Sequence, residues 1–215
     1  SYDVLNRVMT LRMDITWRRR VREKVAEVKA GTILDVATGT GDLAIELSKI
    51  ANAHITGVDI SQGMLSVGEQ KVKTLGLSER ITMQLADSEH LPFADGSFYA
   101  VTVSFGVRNF ENLQKGLSEL RRVLRPGGRL VILETSVPTR FPYKQGYKFY
   151  TKFVVPLMGK LLAKNQNAYA YLSESAAKFP FGKQLANILE SEIGFSRVKF
   201  YPQFLGVATI YVADK

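Results

Sequence analysis

Between Thr32 and Glu134 the chain alternates short apolar runs with longer amphipathic stretches, and this alternation restricts the fold more than any other feature. The runs are Thr-Ile-Leu-Asp-Val-Ala (32–37), His-Ile-Thr-Gly-Val-Asp (54–59), Ile-Thr-Met-Gln-Leu-Ala (81–86), Ala-Val-Thr-Val-Ser (100–104) and Leu-Val-Ile-Leu-Glu (130–134). Their length and near-continuous apolar character predict buried parallel strands. Helices are predicted between them over 41–50, 61–75 with Ser61 as N-cap, and 112–124, the last stopped by Pro126-Gly127-Gly128. Strands and helices in this order build a doubly wound α/β sheet, Rossmann-like, with its ligand at the carboxyl ends of the strands. After a segment over 138–181, the pattern predicts a helix near 183–193 and two strands, 196–201 and 207–213. The short turn between these strands makes them an antiparallel hairpin added to the sheet. A length of 215 residues suits one domain. A chain of this size buries about 70% of its unfolded surface, so no covalent staple is required.

Charge divides the chain into three parts. Residues 1–30 carry 8 basic and 4 acidic side chains, 31–120 carry 6 and 11, and 121–215 carry 15 and 5. The net +9 is therefore a sum of +4, −5 and +10. A surface that grips nucleic acid needs Lys or Arg at each phosphate, which an acidic centre does not supply. The absence of cysteine excludes a disulfide scaffold, a thiolate metal site and a cysteine nucleophile, and His54 and His90 alone do not make a histidine-rich metal centre. No apolar run reaches the roughly 18–20 residues that span a bilayer. The first residues carry no signal-peptide pattern, which predicts a cytoplasmic protein, and the start at Ser1 without Met is what a clipped chain would show.

The first strand runs into Thr38-Gly39-Thr40-Gly41-Asp42-Leu43-Ala44. Glycines here allow a tight turn and a close approach of ligand to backbone. Gly39-x-Gly41-x-x-Ala44 fits the dinucleotide fingerprint, and Asp59, ending the second strand, is placed to hold a ribose hydroxyl. The surrounding charge argues against a pyrophosphate. Asp35, Asp42 and Asp87 crowd the same strand ends, and each would repel a phosphate by about 1 kcal/mol even in watery surroundings. The same carboxylates suit a ligand with an ammonium group, a sulfonium, a ribose diol and an exocyclic amine, as in S-adenosylmethionine. Acids merely solvated at strand ends are the plainer alternative, strongest for Asp42.

These residues resemble the class I S-adenosylmethionine-dependent methyltransferases. The likeness sharpens with Asp59-Ile60-Ser61-Gln62-Gly63-Met64-Leu65, Leu91-Pro92-Phe93, Phe105-Gly106-Val107-Arg108-Asn109-Phe110, Leu124-Arg125-Pro126-Gly127-Gly128 and Glu174-Ser175 before Phe179-Pro180. Together with Tyr2-Asp3 and Leu5-Asn6-Arg7, they are similar to the UbiE/MenG family of quinone-biosynthesis C-methyltransferases over nearly the whole chain. The resemblance implies a seven-stranded sheet in one domain: an N-terminal helical lid over 1–30, a cofactor-binding core over 31–137, a basic aromatic cap over 138–181, and a C-terminal helix and hairpin over 182–215. It implies cofactor contacts at Asp35, Gly39, Thr40, Gly41, Asp59, Asp87, Ser88 and Ser104. The implied substrate is a polyprenyl quinol, with demethylmenaquinol preferred over a benzoquinol, and no metal takes part.

Methylation of a ring carbon needs a neighbouring phenolic hydroxyl to lose its proton, through a base or a hydrogen-bond network that stabilises phenolate. Arg108 is expected to stabilise that charge, directly or through water, and Asn109 to orient the hydroxyl. The alternative for Arg108 is an ion pair with a nearby acid that fixes its loop. Tyr2 and Asp3 are expected to close over the site, and His90 to be structural. Residues 140–183 hold 8 Lys/Arg against one acid, and 10 of the 22 aromatics. This predicts a roof over a prenyl tail or a face for anionic lipid, with ordinary core packing, RNA binding or an NAD-dependent oxidoreductase as other readings of the chain. Peripheral membrane contact and a homo-oligomer are further expectations.

Overall fold

The computed structural model describes residues 13–28, 31–139, 141–149 and 179–215. In chain order the elements are α1 (Met13–Ala26), β1 (Thr32–Val36), α2 (Asp42–Leu47), β2 (His54–Asp59), α3 (Gln62–Thr74), β3 (Ile81–Leu85), β4 (Phe98–Ser104), α4 (Leu113–Val123), β5 (Leu124–Thr135), α5 (Tyr143–Phe149), α6 (Lys183–Asn187), β6 (Ser196–Gln203) and β7 (Ala208–Asp214). The strands form a seven-stranded sheet in the order β3-β2-β1-β4-β5-β7-β6. The first five run parallel, β7 is antiparallel to β5, and β6 is antiparallel to β7. The direction of winding reverses between β1 and β4, which opens the crevice where sheets of this kind take ligands.

Strand periodicity explains the two layers. Ile33, Val131, Leu133, Ile210 and Val212 point to one face and pack with Trp17 and Val21 of α1, Leu43 of α2 and Val72 of α3. Their neighbours Leu34, Leu130, Ile132 and Tyr211 point to the other face and pack with Leu117 and Leu120 of α4, Leu185 of α6 and Leu189. Alternate side chains on a strand face opposite sides, so a continuous apolar run covers both faces at once. α3 starts at Ser61, whose Oγ accepts from the Met64 N–H, and α4 at Asn112, whose Oδ1 accepts from the Lys115 N–H. Arg129 on β5 reaches Asp214 of β7 at 2.8 Å and Glu27 beyond α1 at 2.7 Å, tying α1 to the antiparallel side of the sheet.

Three details differ from expectation. β3 is an edge strand rather than a buried one: Ile81 is buried, but Leu85 is 54% exposed because no strand covers its outer side. The helix expected over 183–193 is α6 followed by a π-helical turn, Ile188–Glu192, closed by the Ile193 N–H on the Ile188 carbonyl. The first helix of the core is short, ending at Leu47. Of the aromatic segment, α5 is described, while Lys152 and most of 138–181 lie outside the described residues.

Gly106, just past β4, fixes how closely β1 and β4 approach. A Cβ there would lie 2.5 Å from the Ala37 Cβ and 3.1 Å from the Val103 Cγ1. Gly106→Ala is expected to cost about 1–3 kcal/mol through overpacking, seen as a lower urea midpoint. An unchanged midpoint would show that the two strand ends yield freely.

Candidate active site

The carboxyl ends of β1 to β4 surround a cavity of about 470 Å³, within the range of small-molecule sites. Its floor is built at the end of β1. Asp35 is buried and accepts hydrogen bonds from Thr38 Oγ1 at 2.6 Å and Thr102 Oγ1 at 2.7 Å. Burial pushes its carboxyl up to about 6, the two hydroxyls pull it back, and the charge of Asp59 pushes the same way as burial. The chain then turns through Ala37 at φ 53°, Gly39 at φ 58° and Gly41 at φ 79°, left-handed backbone that favours glycine at the last two positions. Asp59 ties this loop to β2: its Oδ2 accepts from the Gly39 N–H at 2.8 Å and its Oδ1 from the Ser61 N–H at 2.9 Å. Each carboxylate oxygen keeps a further lone pair for a ligand hydroxyl.

The acids around the loop are not equivalent. Asp42 Oδ1 receives the Lys71 ammonium at 2.8 Å, and Lys71 also donates to Thr40 Oγ1 at 2.9 Å. Arg18 of α1 approaches Asp42 Oδ2 at 3.6 Å. Asp42 is therefore an ion-paired residue that anchors the loop to α3, which corrects both the solvated reading and the idea of a free carboxylate awaiting a cation. Asp35, Gly39, Thr40, Asp59, Asp87, Ser88, Ser104 and Asn109 all line the cavity, whereas Gly41 is not part of the lining and is the N-cap residue before α2. Arg18 lines it as well. No motif pointed to Arg18, which lies in a run of three arginines whose helical phase alone separates them.

At the β3 side, Asp87 accepts from the Glu89 N–H at 2.9 Å and pairs with His90 Nδ1 at 3.1 Å, and these contacts hold its carboxyl below the usual range. Lys115 Nζ lies 2.6 Å from His90 Nε2, which makes Nε2 the acceptor and Nδ1 the donor. His90 thus orients Asp87. At the β4 side, Phe105 turns at φ 56° into one 3-10 turn, Val107–Asn109, whose Asn109 faces the cavity. Arg108 does not. Its guanidinium is buried on Glu134 of β5, which also accepts the Arg108 N–H at 3.3 Å and the Thr135 N–H at 2.8 Å. Among the described residues, Arg108 Nε is buried without a hydrogen-bond partner. The geometry favours the ion-pair alternative for Arg108, which fixes the turn that carries Asn109. Tyr2 and Asp3 lie outside the described residues.

The family model described as the ubiE/COQ5 methyltransferase family matches residues 1–215. A demethylmenaquinone methyltransferase of Bacteroides fragilis is 47% identical over 216 aligned positions, covering 100% of this chain and 88% of that protein. A ubiquinone/menaquinone biosynthesis C-methyltransferase UbiE of Geotalea daltonii is 43% identical, with 100% and 91% covered. Among solved structures, a SAM-dependent methyltransferase of Thermotoga maritima superposes with a TM-score of 0.69 at 14% identity, over 100% of this chain and 95% of that one, a likeness of fold alone.

Asp35 makes stability depend on pH. Its carboxyl lies near 6 in the folded chain against an ordinary 3.8, so the stabilisation is complete below pH 3.8 and is lost as pH rises through about 6. At about 1.4 kcal/mol per pH unit, the loss is about 3 kcal/mol. Urea unfolding of the wild type relative to Asp35→Asn is expected to show this fall between pH 4 and 7. A difference that stays flat would mean that Asp35 titrates normally.

Proposed function

Because the chain belongs to the ubiE/COQ5 methyltransferase family, we propose that it transfers the methyl group of S-adenosylmethionine to a ring carbon of a reduced polyprenyl quinone, with demethylmenaquinol as its substrate. The observation that carries this reading is one cavity with a diol-binding carboxylate, Asp59, on one side and the Asn109 turn on the other. The preference for a naphthoquinol follows the relatives at 46–47% identity, which are named demethylmenaquinone methyltransferases. The name of the Geotalea daltonii relative covers ubiquinone as well, so a benzoquinol is the second substrate to test.

The residues present fit the cofactor. Asp59 accepts the two ribose hydroxyls with the lone pairs that Gly39 and Ser61 leave open, and Asp87 and Ser88 stand where the adenine edge would lie. Gly39 and Thr40, on the turn that Gly41 shapes, and Ser104 at the end of β4 would hold the part of the cofactor beyond its ribose. Asp35 faces the positive end of the ligand, whose charge favours its ionised form. When bound, S-adenosylmethionine supplies an electrophilic methyl on sulfonium sulfur and departs as S-adenosylhomocysteine.

The chain's task toward the quinol is to raise electron density on the ring and hold it in line. Asn109 donates its amide N–H to the oxygen next to the reacting carbon, which stabilises the phenolate as it forms. Arg108 acts through the backbone: with its charge balanced by Glu134, it holds the 107–109 turn in place. Tyr2 closes the site from the N-terminal segment, by the family resemblance. A quinol with a prenyl tail resides in a bilayer, and no helix among the described residues is long and apolar enough to cross one. We assign the approach to the lipid surface to the α5 region, where Phe141 is 80% exposed, Tyr143 is 44% exposed and Lys144 is exposed.

Two measurements test these assignments. With labelled methyl donor, reduced demethylmenaquinone should turn over faster than the matching demethylated benzoquinol, and Asn109→Ala should lower turnover on the order of 10²-fold, as for other lost oxyanion donors, with S-adenosylhomocysteine affinity retained. Label reaching neither quinol would refute the reaction. Lys144, Lys148 and Lys152 changed together to Gln should weaken binding to anionic vesicles, and more so at low salt, where about 1 kcal/mol per charge is at stake. Equal binding would remove this face from the membrane.

A further inference from the structure

Three glycines from three parts of the chain meet one thioether next to the glycine loop. Asp35, Gly57 and Met83 stand in register across β1, β2 and β3. Gly57 has no side chain, so Met83 can lie across it toward the loop. A Cβ on Gly57 would lie 2.9 Å from Met83 Sδ, one on Gly68 of α3 3.0 Å from its Cε, and one on Gly41 closer still to that carbon. Gly68 also meets the loop itself, since a Cβ there would lie 3.2 Å from the Thr40 carbonyl carbon. The tip of Met83 is thus a plug between β2, α3 and the turn that carries Gly39 and Thr40, and it is not part of the cavity lining. We propose that Met83 is a site of reversible oxidation, at which a peroxide converts the thioether to the sulfoxide and thereby weakens cofactor binding. The inference rests on the methyltransferase reading, which makes S-adenosylmethionine the ligand of this loop.

A lone pair on sulfur attacks one peroxide oxygen, the O–O bond breaks as the S–O bond forms, and the proton of the transferred oxygen passes to the departing hydroxide. Sulfur is oxidised by two electrons and the peroxide is reduced to water. Reduced quinones give hydrogen peroxide with dioxygen, so the oxidant arises where the proposed substrate is handled. Access is open because β3 is an edge strand and Met83 is only partly buried. A methionine tip is apolar and adaptable, which suits an irregular gap between backbones. The sulfoxide is polar and carries one more heavy atom. The Thr38 hydroxyl, 2.9 Å from the same Cβ position on Gly57, already donates to Asp35. The new oxygen must therefore crowd Gly57 and Thr38 or carry the tip out over the sheet edge. In either case Gly41 loses the contact that supports its turn, and the turn positions Gly39 and Thr40.

The test treats the full chain with graded hydrogen peroxide, maps each methionine by mass spectrometry and measures S-adenosylhomocysteine binding by calorimetry on the same samples. The share of chain that binds at full affinity should fall in step with sulfoxide at Met83, the oxidised form binding on the order of 10-fold more weakly. Methionine sulfoxide reductases should restore it. Met83→Leu, which conserves volume and cannot be oxidised, should bind S-adenosylhomocysteine within about twofold of wild type before and after peroxide. Met64 is the internal control, since it lines the cavity, its Sδ would lie 3.4 Å from a Cβ on Gly39, and it remains oxidisable in that variant. A loss that persists in Met83→Leu or tracks Met64 would overturn the proposal, as would Met83 sulfoxide with unchanged binding or a Met83 that stays reduced while Met64 converts. The mapping on wild type decides the matter alone if Met83→Leu does not fold. Untreated wild type that does not bind S-adenosylhomocysteine would instead defeat the cofactor reading, and this proposal with it.

Discussion

A carboxylate buried at the end of the central strand organises the site. Asp35 sits where β1 is flanked on both sides by parallel strands and is almost wholly buried. An ion in that position is expensive unless it is hydrogen-bonded. Thr38 meets it from the loop and Thr102 from β4, so the same two bonds that offset its desolvation hold the glycine loop against the neighbouring strand. Its carboxyl still stands near 6, which means that the compensation is incomplete. A cation placed above it supplies what the protein leaves out. Two of the six non-glycine residues with positive φ among the described residues are at this spot: Ala37 and Phe105, each just past a strand end, both border the cavity. Such backbone persists only where surrounding structure over-determines it, and here the Val58 carbonyl holds the Thr38 N–H while the Leu133 carbonyl holds the Phe105 N–H.

A second layer of charge holds this floor in place. Asp42, Lys71 and Thr40 join α2, α3 and the glycine loop, and Glu134 with Arg108 joins β5 to the turn that carries Asn109. A buried pair of this kind is weak evidence for net stability, since desolvation of both ions opposes their attraction. Its value lies in geometry. Glu134 accepts from two backbone N–H groups and a guanidinium at once, so the end of β5 and the start of the 3-10 turn cannot move independently. On the arginine side one donor, Nε, is buried without a hydrogen-bond partner among the described residues, while Glu134 also accepts from the Thr135 hydroxyl.

Strand positions were legible because burial on two faces leaves a signal in consecutive residues. Leu34 and Ile33 serve opposite layers, yet both must be apolar, and a run of such residues bounded by glycine or acid has few alternatives. Edge position leaves no such mark: Leu85 is apolar in sequence and half-exposed in the fold because nothing in the local pattern states that β3 has one neighbour. The acids at strand ends were visible, and their different fates were not. Lys71 lies 29 positions from Asp42 and Glu134 lies 26 from Arg108, so the partners that neutralise one and bury the other appear only when α3 and β5 are packed. Arg18 was hidden for another reason. Arg18, Arg19 and Arg20 are chemically alike, and helical phase sends one to the cavity, one to Glu23 on the surface and one to Gln203.

The net charge of +9 belongs to a different length scale from the site. Charges separated by more than about 8 Å through solvent are largely screened at physiological salt. Ligand choice is therefore governed by what lines the cavity, an acidic surface with a single guanidinium among the described residues. That arrangement disfavours polyanions such as pyrophosphate and suits a ligand that carries positive charge. The basic surplus lies outside this lining: residues 121–215 carry 15 basic and 5 acidic side chains, and no described Lys or Arg of that segment borders the cavity. Opposite signs thus coexist in one chain, because the fold gathers acids from several strand ends around one cavity while the basic surplus of the sequence lies elsewhere along it.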